Sequence, residues 1–454
     1  MGPDWRDSGP DLGSVDGKDV RMRPMNEEFR RRRRELTRLI DPGVLVLPAA
    51  ALALRNNDVE HDFRQDSDIY YLTGFEEPEC LLVLSSREGG RSVVFLRPRD
   101  LEREAWDGQR LGAERAVEAL GVDEAYPYGD LRERLPALIG GHDRLYYRLG
   151  FQRGIDDVLL HAIATLRARA RHGSHWPTEI VDPAVVLHEM RLIKSEAELD
   201  LMRKAAQLTC DAHVHAMRIA RPGIFEYELE AELVATFRRG GSRRDAYAPI
   251  VGSGPNATTL HYRDNTRQTC PGDLVLVDAG CEYGYYAADV TRTFPISGRF
   301  SGPQRAVYEV VLDAQRAAIE AVRPGTTLDA IHEACRGILI RGMLDLKLVD
   351  GPEERVLEDK SYTKFFMHRT SHWLGMDVHD VGLYQRAGQP RPLQAGMVLT
   401  IEPGLYIAAD SDAPEAFRGI GVRIEDDVVV VDGGGEVITA RAPKDPDTLE
   451  AVCS

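Results

Sequence analysis

No CxxC pair occurs among the six cysteines of this 454-residue chain (Cys80, Cys210, Cys270, Cys281, Cys335, Cys453). That absence removes zinc-ribbon and thioredoxin-like readings, and reduced thiols in a cytoplasm are the expectation. The segment Met1 to Arg23 lacks an apolar h-region, which predicts neither a signal peptide nor a span there. Rich in Gly, Asp and Arg, residues 1–24 read as a disordered tail. An excess of basic residues is also missing: 57 Lys and Arg stand against 73 Asp and Glu, a net charge of -16, which argues against nucleic acid or a membrane as partner. The opposing feature is the run Arg30 to Arg34, which opens an amphipathic segment (Phe29, Leu36, Leu39, Ile40) and reads as a solvated face. Short-period repeats are absent, and so is low complexity apart from that run.

What is present is an ordinary globular balance, 43% hydrophobic and 29% charged. At roughly 150 residues per domain, the length predicts about two or three units. From Met25 onward, short apolar runs (Val44 to Leu47, Cys80 to Leu84, Ser92 to Leu96) read as strands, and Ala113 to Leu120 and Arg153 to Arg171 read as helices. This predicts an N-terminal α/β domain over 25–190, with Arg171 to Pro183, which carries Gly173, Pro177 and Pro183, as the candidate boundary stretch. Ser195 with Glu198 forms a capping-box signature that opens a long helix to Ile219, stopped by Pro222-Gly223. In the second domain, 191–454, Leu274 to Cys281, Tyr285 to Pro295, Met397 to Ile407 and Gly421 to Val431 read as strands, with helices near Pro303 to Val322 and Leu328 to Leu344. A sheet carrying helices follows, within an overall α/β (α+β) class.

Asp278 ends an apolar run, and Asp289 follows eleven positions later in Ala288 to Phe294. Two acids on adjacent strands could converge, although a strand-end Asp is more often a turn former. His368, His372 and His379 then fall within twelve positions, a density that packing seldom produces. Glu402 and Glu425 follow strand-like apolar runs, Val398 to Ile401 and Gly421 to Ile424. A carboxylate there needs a cation or several hydrogen bonds to offset its desolvation. A metal would supply that cation, and Arg423 could instead satisfy Glu425 or Asp278 as an ion pair.

Asp278, Asp289, His372, Glu402 and Glu425, in this order and with these flanks, resemble the five-ligand signature of the pita-bread metallopeptidases, specifically of the Xaa-Pro aminopeptidases (aminopeptidase P). The likeness extends to Arg191 to Ser195, Ile250 to Gly254, Leu260 to Tyr262, Asp278 to Phe294, Ser371 to Gly382, Ile401 to Tyr406 and Gly419 to Asp427. In the first domain Tyr71 to Phe75 and Trp106 to Gly112 also resemble that family, so the resemblance runs from about Met25 to about Val437. It implies an N-terminal creatinase/prolidase-like α/β domain followed by a catalytic pita-bread domain.

The resemblance further implies two Mn2+ per subunit, with Co2+ or Zn2+ as other possible ions, and an oxygen-rich ligand set suits Mn(II). Two metals about 3.5–4 Å apart can share a water, lower its pKa and polarise the scissile carbonyl. By the same resemblance Asp289 and Glu425 would bridge, Asp278 would complete one metal, and His372 with Glu402 the other. Glu402 would also shuttle a proton to the leaving prolyl nitrogen. His261, His368 and His379 would line the proline pocket and hydrogen-bond the intermediate, while Tyr406 and Arg423 would orient Asp278. Trp106 resembles a residue that reaches into a neighbouring subunit's site, which implies a homo-oligomer, dimer or tetramer. The implied partners are peptides with proline second.

One departure is visible: bacterial members commonly show His-Gly-Leu-Ser-His where this chain has His368-Arg369-Thr370-Ser371-His372, so Arg369 bears on substrate preference. His213 and His215 match no ligand position and read as surface histidines. A prolidase is the close rival, against which the Ser371-His372-Trp373 flank, the first-domain motifs and Trp106 weigh. Methionine aminopeptidase, a non-catalytic peptide-binding relative and metal-free creatinase-like hydrolysis are weaker readings.

Overall fold

The structure, a computed structural model, describes residues 19–453. The expected tail therefore falls, for residues 1–18, outside the described residues. From Asp19 the backbone is helical, six residues ahead of the expected domain start at Met25. The chain divides into two compact units that part between Leu187 and His188.

The first unit is built on a six-stranded mixed sheet in the order Glu124–Pro127, Arg91–Leu96, Leu81–Ser85, Val44–Pro48, Arg144–Tyr146, Glu179–Val181. The three apolar runs are its central antiparallel strands, buried almost throughout, as their unbroken hydrophobicity requires. The stretch 171–183 is not a linker: Glu179–Val181 within it pairs in parallel with Arg144–Tyr146 and closes the sheet edge. The predicted helix from Arg153 ends at Ala168, and a separate 3-10 turn, Ala170–His172, follows it.

The arginine run corrects the solvated-face expectation. Arg32 and Arg33 are buried. Arg32 donates to the Tyr71 carbonyl at 3.0 Å and lies 4.0 Å over the Tyr71 ring, while Arg33 donates to the carbonyls of Leu72, Leu120 and Gly121 at 2.7, 2.9 and 2.6 Å. These carbonyls close the helices Ser67–Thr73 and Ala113–Leu120, whose last turns have no intrahelical donor. The two guanidinium groups supply it, and positive charge suits that helix end. Arg30, Arg31 and Arg34 do remain exposed.

In the second unit the capping box forms as read, with the Ser195 N–H donating to Glu198 at 2.9 Å and the helix running Glu196–Ile219. Helices Gly302–Glu320 and Leu328–Asp345 also fall where the periodicity put them. Each of the four predicted strands, however, is broken in two. Leu274–Asp278 stops before Cys281–Tyr283, Tyr286–Ala287 before Thr291–Pro295, Val398–Ile401 before Gly404–Ile407, and Ile420–Arg423 before Asp426–Val431. The pieces belong to different ladders. Leu274–Asp278 pairs with Ile250–Ser253 and Thr291–Pro295, Val398–Ile401 with Asp426–Val431, and Gly404–Ile407 with Ile420–Arg423. An extensive apolar core packs around these short strands and helices.

Candidate metal centre

Every strand break coincides with an acid singled out in the sequence. Asp278 is the last residue of its strand, and Asp289, Glu402 and Glu425 each sit in the gap between two pieces. A residue leaving a ladder there can turn its carboxylate away from the sheet, and all four acids line a single cavity of about 960 Å³. His372 lines it as well, its Nε2 lying 3.5 Å from Asp289 Oδ2 and 3.7 Å from Glu402 Oε1. One ligand atom each from Asp289, His372 and Glu425 lie within 4.8 Å of one another.

Tyr247, which the sequence reading missed, bridges two of the acids: its hydroxyl is 2.5 Å from both Asp278 Oδ1 and Asp289 Oδ1. A phenol carries one proton, so it cannot donate to both carboxylates at once. Burial and the neighbouring Asp278, Asp289 and Glu425 hold that proton on, pushing the phenol well above its ordinary value. No sequence signal marks Tyr247, because a tyrosine in the run Ala246 to Val251 looks like packing. The Glu425 carboxylate accepts from Thr291 Oγ1 at 2.7 Å.

Arg423 resolves the ion-pair alternative in favour of Asp278. Its Nη2 donates to Asp278 Oδ2 at 2.6 Å, its Nη1 to the Tyr406 hydroxyl at 3.1 Å and its Nε to Thr291 Oγ1 at 3.0 Å. His368 Nε2 meets the same Tyr406 hydroxyl at 2.9 Å, and His368 Nδ1 lies 3.6 Å from Glu402 Oε2. Burial, then the Arg423 charge, holds His368 down at about 4, so its ring is neutral near pH 7. His261 and His379 line the cavity too, the His379 ring 4.4 Å from that of His372. Asp380 beside His379 is buried and receives Lys194 Nζ at 2.9 Å and Arg191 Nη2 at 2.7 Å. Those cations come from the motif Arg191 to Ser195, which thus anchors the histidine loop.

Asp278, Asp289, His372, Glu402, Glu425, His261, His368, His379, Tyr406 and Arg423 therefore meet in one cavity, with Arg369 beside them. Trp106 belongs to the first unit, on the helix Leu101–Asp107, and is 88% exposed. His213 is not on the surface: it is buried, and its Nε2 meets the Ala279 carbonyl at 3.0 Å. His215 is half-buried and pairs with Glu232 at 3.1 Å.

The protein groups leave the acids short of positive charge. Burial, then Asp289, Glu402 and Asp278, drives Glu425 well above the usual carboxylate range despite Arg423. Glu402 is pushed up to about 7 by burial, with Asp289 and Asp278 adding to it against His372 and Arg423. Burial opposes protonation of His372, yet Asp289 and Glu402 outweigh it and lift the imidazole to about 9. Four oxygen donors with one imidazole, sharing too few protons, fit hard divalent cations.

The family model of metallopeptidase family M24 matches residues 200–432, and that of the aminopeptidase P N-terminal domain matches residues 29–146. The chain belongs to metallopeptidase family M24. This M24 chain is 44% identical to the Xaa-Pro aminopeptidase of Escherichia coli (strain K12), over 94% of its own length and 97% of the relative. It is 42% identical to that of Haemophilus influenzae, over 93% and 96%. Among solved structures it is similar to aminopeptidase PepP of Pseudomonas aeruginosa, with a TM-score of 0.92, 48% identity and 94% and 98% of the two chains covered. A zinc-substituted Escherichia coli aminopeptidase P in complex with product has the same TM-score at 43% identity, with 94% and 98% covered. Among the described residues, no helix is long and apolar enough to cross a membrane.

Proposed function

We propose that this chain is a metal-dependent aminopeptidase that releases the N-terminal residue of peptides whose second residue is proline. The observation that carries the reading is the convergence of Asp278, Asp289, His372, Glu402 and Glu425 on one cavity, in a chain 44% identical to an Xaa-Pro aminopeptidase. These five residues would hold two divalent cations, with Asp289 and Glu425 shared. Mn(II) suits the oxygen-rich set, and Co(II) or Zn(II) could replace it. Bound there, such ions would lower the pKa of a water and polarise the scissile carbonyl.

The chain's own groups supply the rest. Glu402, which lies within 4 Å of both His372 and His368, would accept a proton and pass it to the departing prolyl nitrogen. That nitrogen has no N–H, so a pocket shaped around the ring must replace the backbone contacts of ordinary peptide recognition. His261, His368 and His379 would form that pocket and stabilise charge developing on the carbonyl oxygen. Tyr406 fixes His368, and Arg423 fixes Asp278, by the bonds given above. The N-terminal unit, with its exposed Trp106, favours work as a homo-oligomer, dimer or tetramer, in which Trp106 serves a neighbouring site. Six free cysteines fit a cytoplasmic setting.

The test is turnover of an Xaa-Pro-Xaa tripeptide with and without Mn(II), beside the dipeptide Gly-Pro. Metal-dependent release of the first residue from the tripeptide is expected. Cleavage confined to the dipeptide would make the protein a prolidase, and no cleavage at any metal concentration would overturn the assignment.

A further inference from the structure

The cavity carries opposite charges at different depths. Asp278, Asp289 and Glu425 are buried, whereas Arg263 and Arg369, which line the same cavity, are exposed and so stand at its mouth. Arg263 makes no hydrogen bond or ion pair among the described residues. Arg369 has one carboxylate partner, the half-buried Asp329, which lines the same cavity, in a contact open to solvent. Its charge is felt inside: burial, then Arg369 and Arg336, holds the lining His332 down at about 4.

If the aminopeptidase reading holds, a substrate's ammonium and scissile bond lie against the acids, and the chain beyond proline leaves through the mouth. Three residues span roughly 10 Å, and the cavity of about 960 Å³ accommodates them. We propose that Arg263 and Arg369 receive a carboxylate carried immediately beyond the proline, so that preferred substrates are tripeptides with a free C-terminus or longer peptides with an acidic third residue. Both sources present the same chemistry, which guanidinium groups bind through paired, charge-assisted hydrogen bonds. The two ends of the cavity then match the two ends of a short zwitterionic peptide. Arg369 becomes a specificity residue.

The test compares kcat/KM of the Mn(II)-loaded full chain on Ala-Pro-Asp, Ala-Pro-Asn and Ala-Pro-Lys, each as free acid and as C-terminal amide. Wild type is expected to favour the free acid over the amide, or Asp over Lys among the amides, on the order of fivefold and mainly through KM, as solvent-exposed charge pairs supply. The preference should shrink in 0.5 M salt and vanish in the double variant Arg263→Gln, Arg369→Gln, with Ala-Pro-Asn amide turnover unchanged. The free-acid and side-chain arms tell the two carboxylate sources apart. Equal kcat/KM across charges in wild type, or an undiminished ratio in the double variant, overturns the inference while leaving the aminopeptidase reading intact. Failure to cleave any of the six peptides overturns both.

Discussion

A glutamine at position 402 keeps the side chain's size and removes its capacity to carry a proton. Glu402→Gln is therefore expected to lower kcat by about 10²–10⁴-fold with folding unchanged, measured as tripeptide turnover at saturating Mn(II) beside circular dichroism. Tyr247 works differently, because its hydroxyl holds Asp278 and Asp289 in register without being able to satisfy both. Tyr247→Phe should weaken metal affinity by about 10–100-fold, read from Mn(II) titration by calorimetry; an unchanged affinity would remove the orienting role. The two residues also differ in legibility. Glu402 announces itself because a charge at the end of an apolar run needs a partner, whereas Tyr247 is recognisable only once the fold has brought two distant acids to its hydroxyl. The burial of His213 is legible in the sequence, because Met202, Ala206, Thr209, His213 and Ala216 recur at helical spacing and form one buried face.

At the scale of elements, the apolar runs of the second domain were legible as strands but their interruptions were not. Hydrophobicity continues through Ile401 and Ile424, so periodicity reads one strand where the chain leaves one ladder and joins another. What breaks each run is pairing with non-adjacent segments, information that resides in the tertiary structure. Gly280 shows how tight these breaks are: a Cβ there would lie 1.7 Å from the Ala288 carbonyl oxygen. Backbone must shift to admit it, moving Asp278 relative to Asp289. Gly280→Ala is expected to cost about 1–3 kcal/mol in urea unfolding and to weaken Mn(II) binding together. Stability lost with metal affinity retained would separate the turn from the site. The first domain's sheet was read closely because its strands are continuous and buried, whereas its final strand was hidden in a proline-bearing stretch that looked like a boundary.

Across the whole molecule, buried groups held neutral set the response to acid. Burial keeps His213 at about 4, even with its bond to the Ala279 carbonyl, whereas an unfolded histidine titrates near 6.5. The unfolded chain therefore binds the extra proton first, and stability falls as pH drops from about 6.5 towards 4, by about 3 kcal/mol for this group. Urea unfolding of His213→Gln across that window should show a shallower pH slope than wild type; an equal slope would place the effect elsewhere. Chelation should abolish turnover, and readdition of Mn(II) should restore it and raise the melting temperature, since an ion bound only by the folded state adds stability by mass action.

The crowding of Asp278, Asp289, Glu402 and Glu425 in one cavity reaches beyond catalysis. Repulsion among them, offset only in part by Arg423 and His372, makes local opening easier, and opened chains are what proteases cut. Divalent-ion supply would then govern how long each copy survives as well as how fast it turns over. A culture starved of the ion that fills this site should lose the protein itself and not merely its activity.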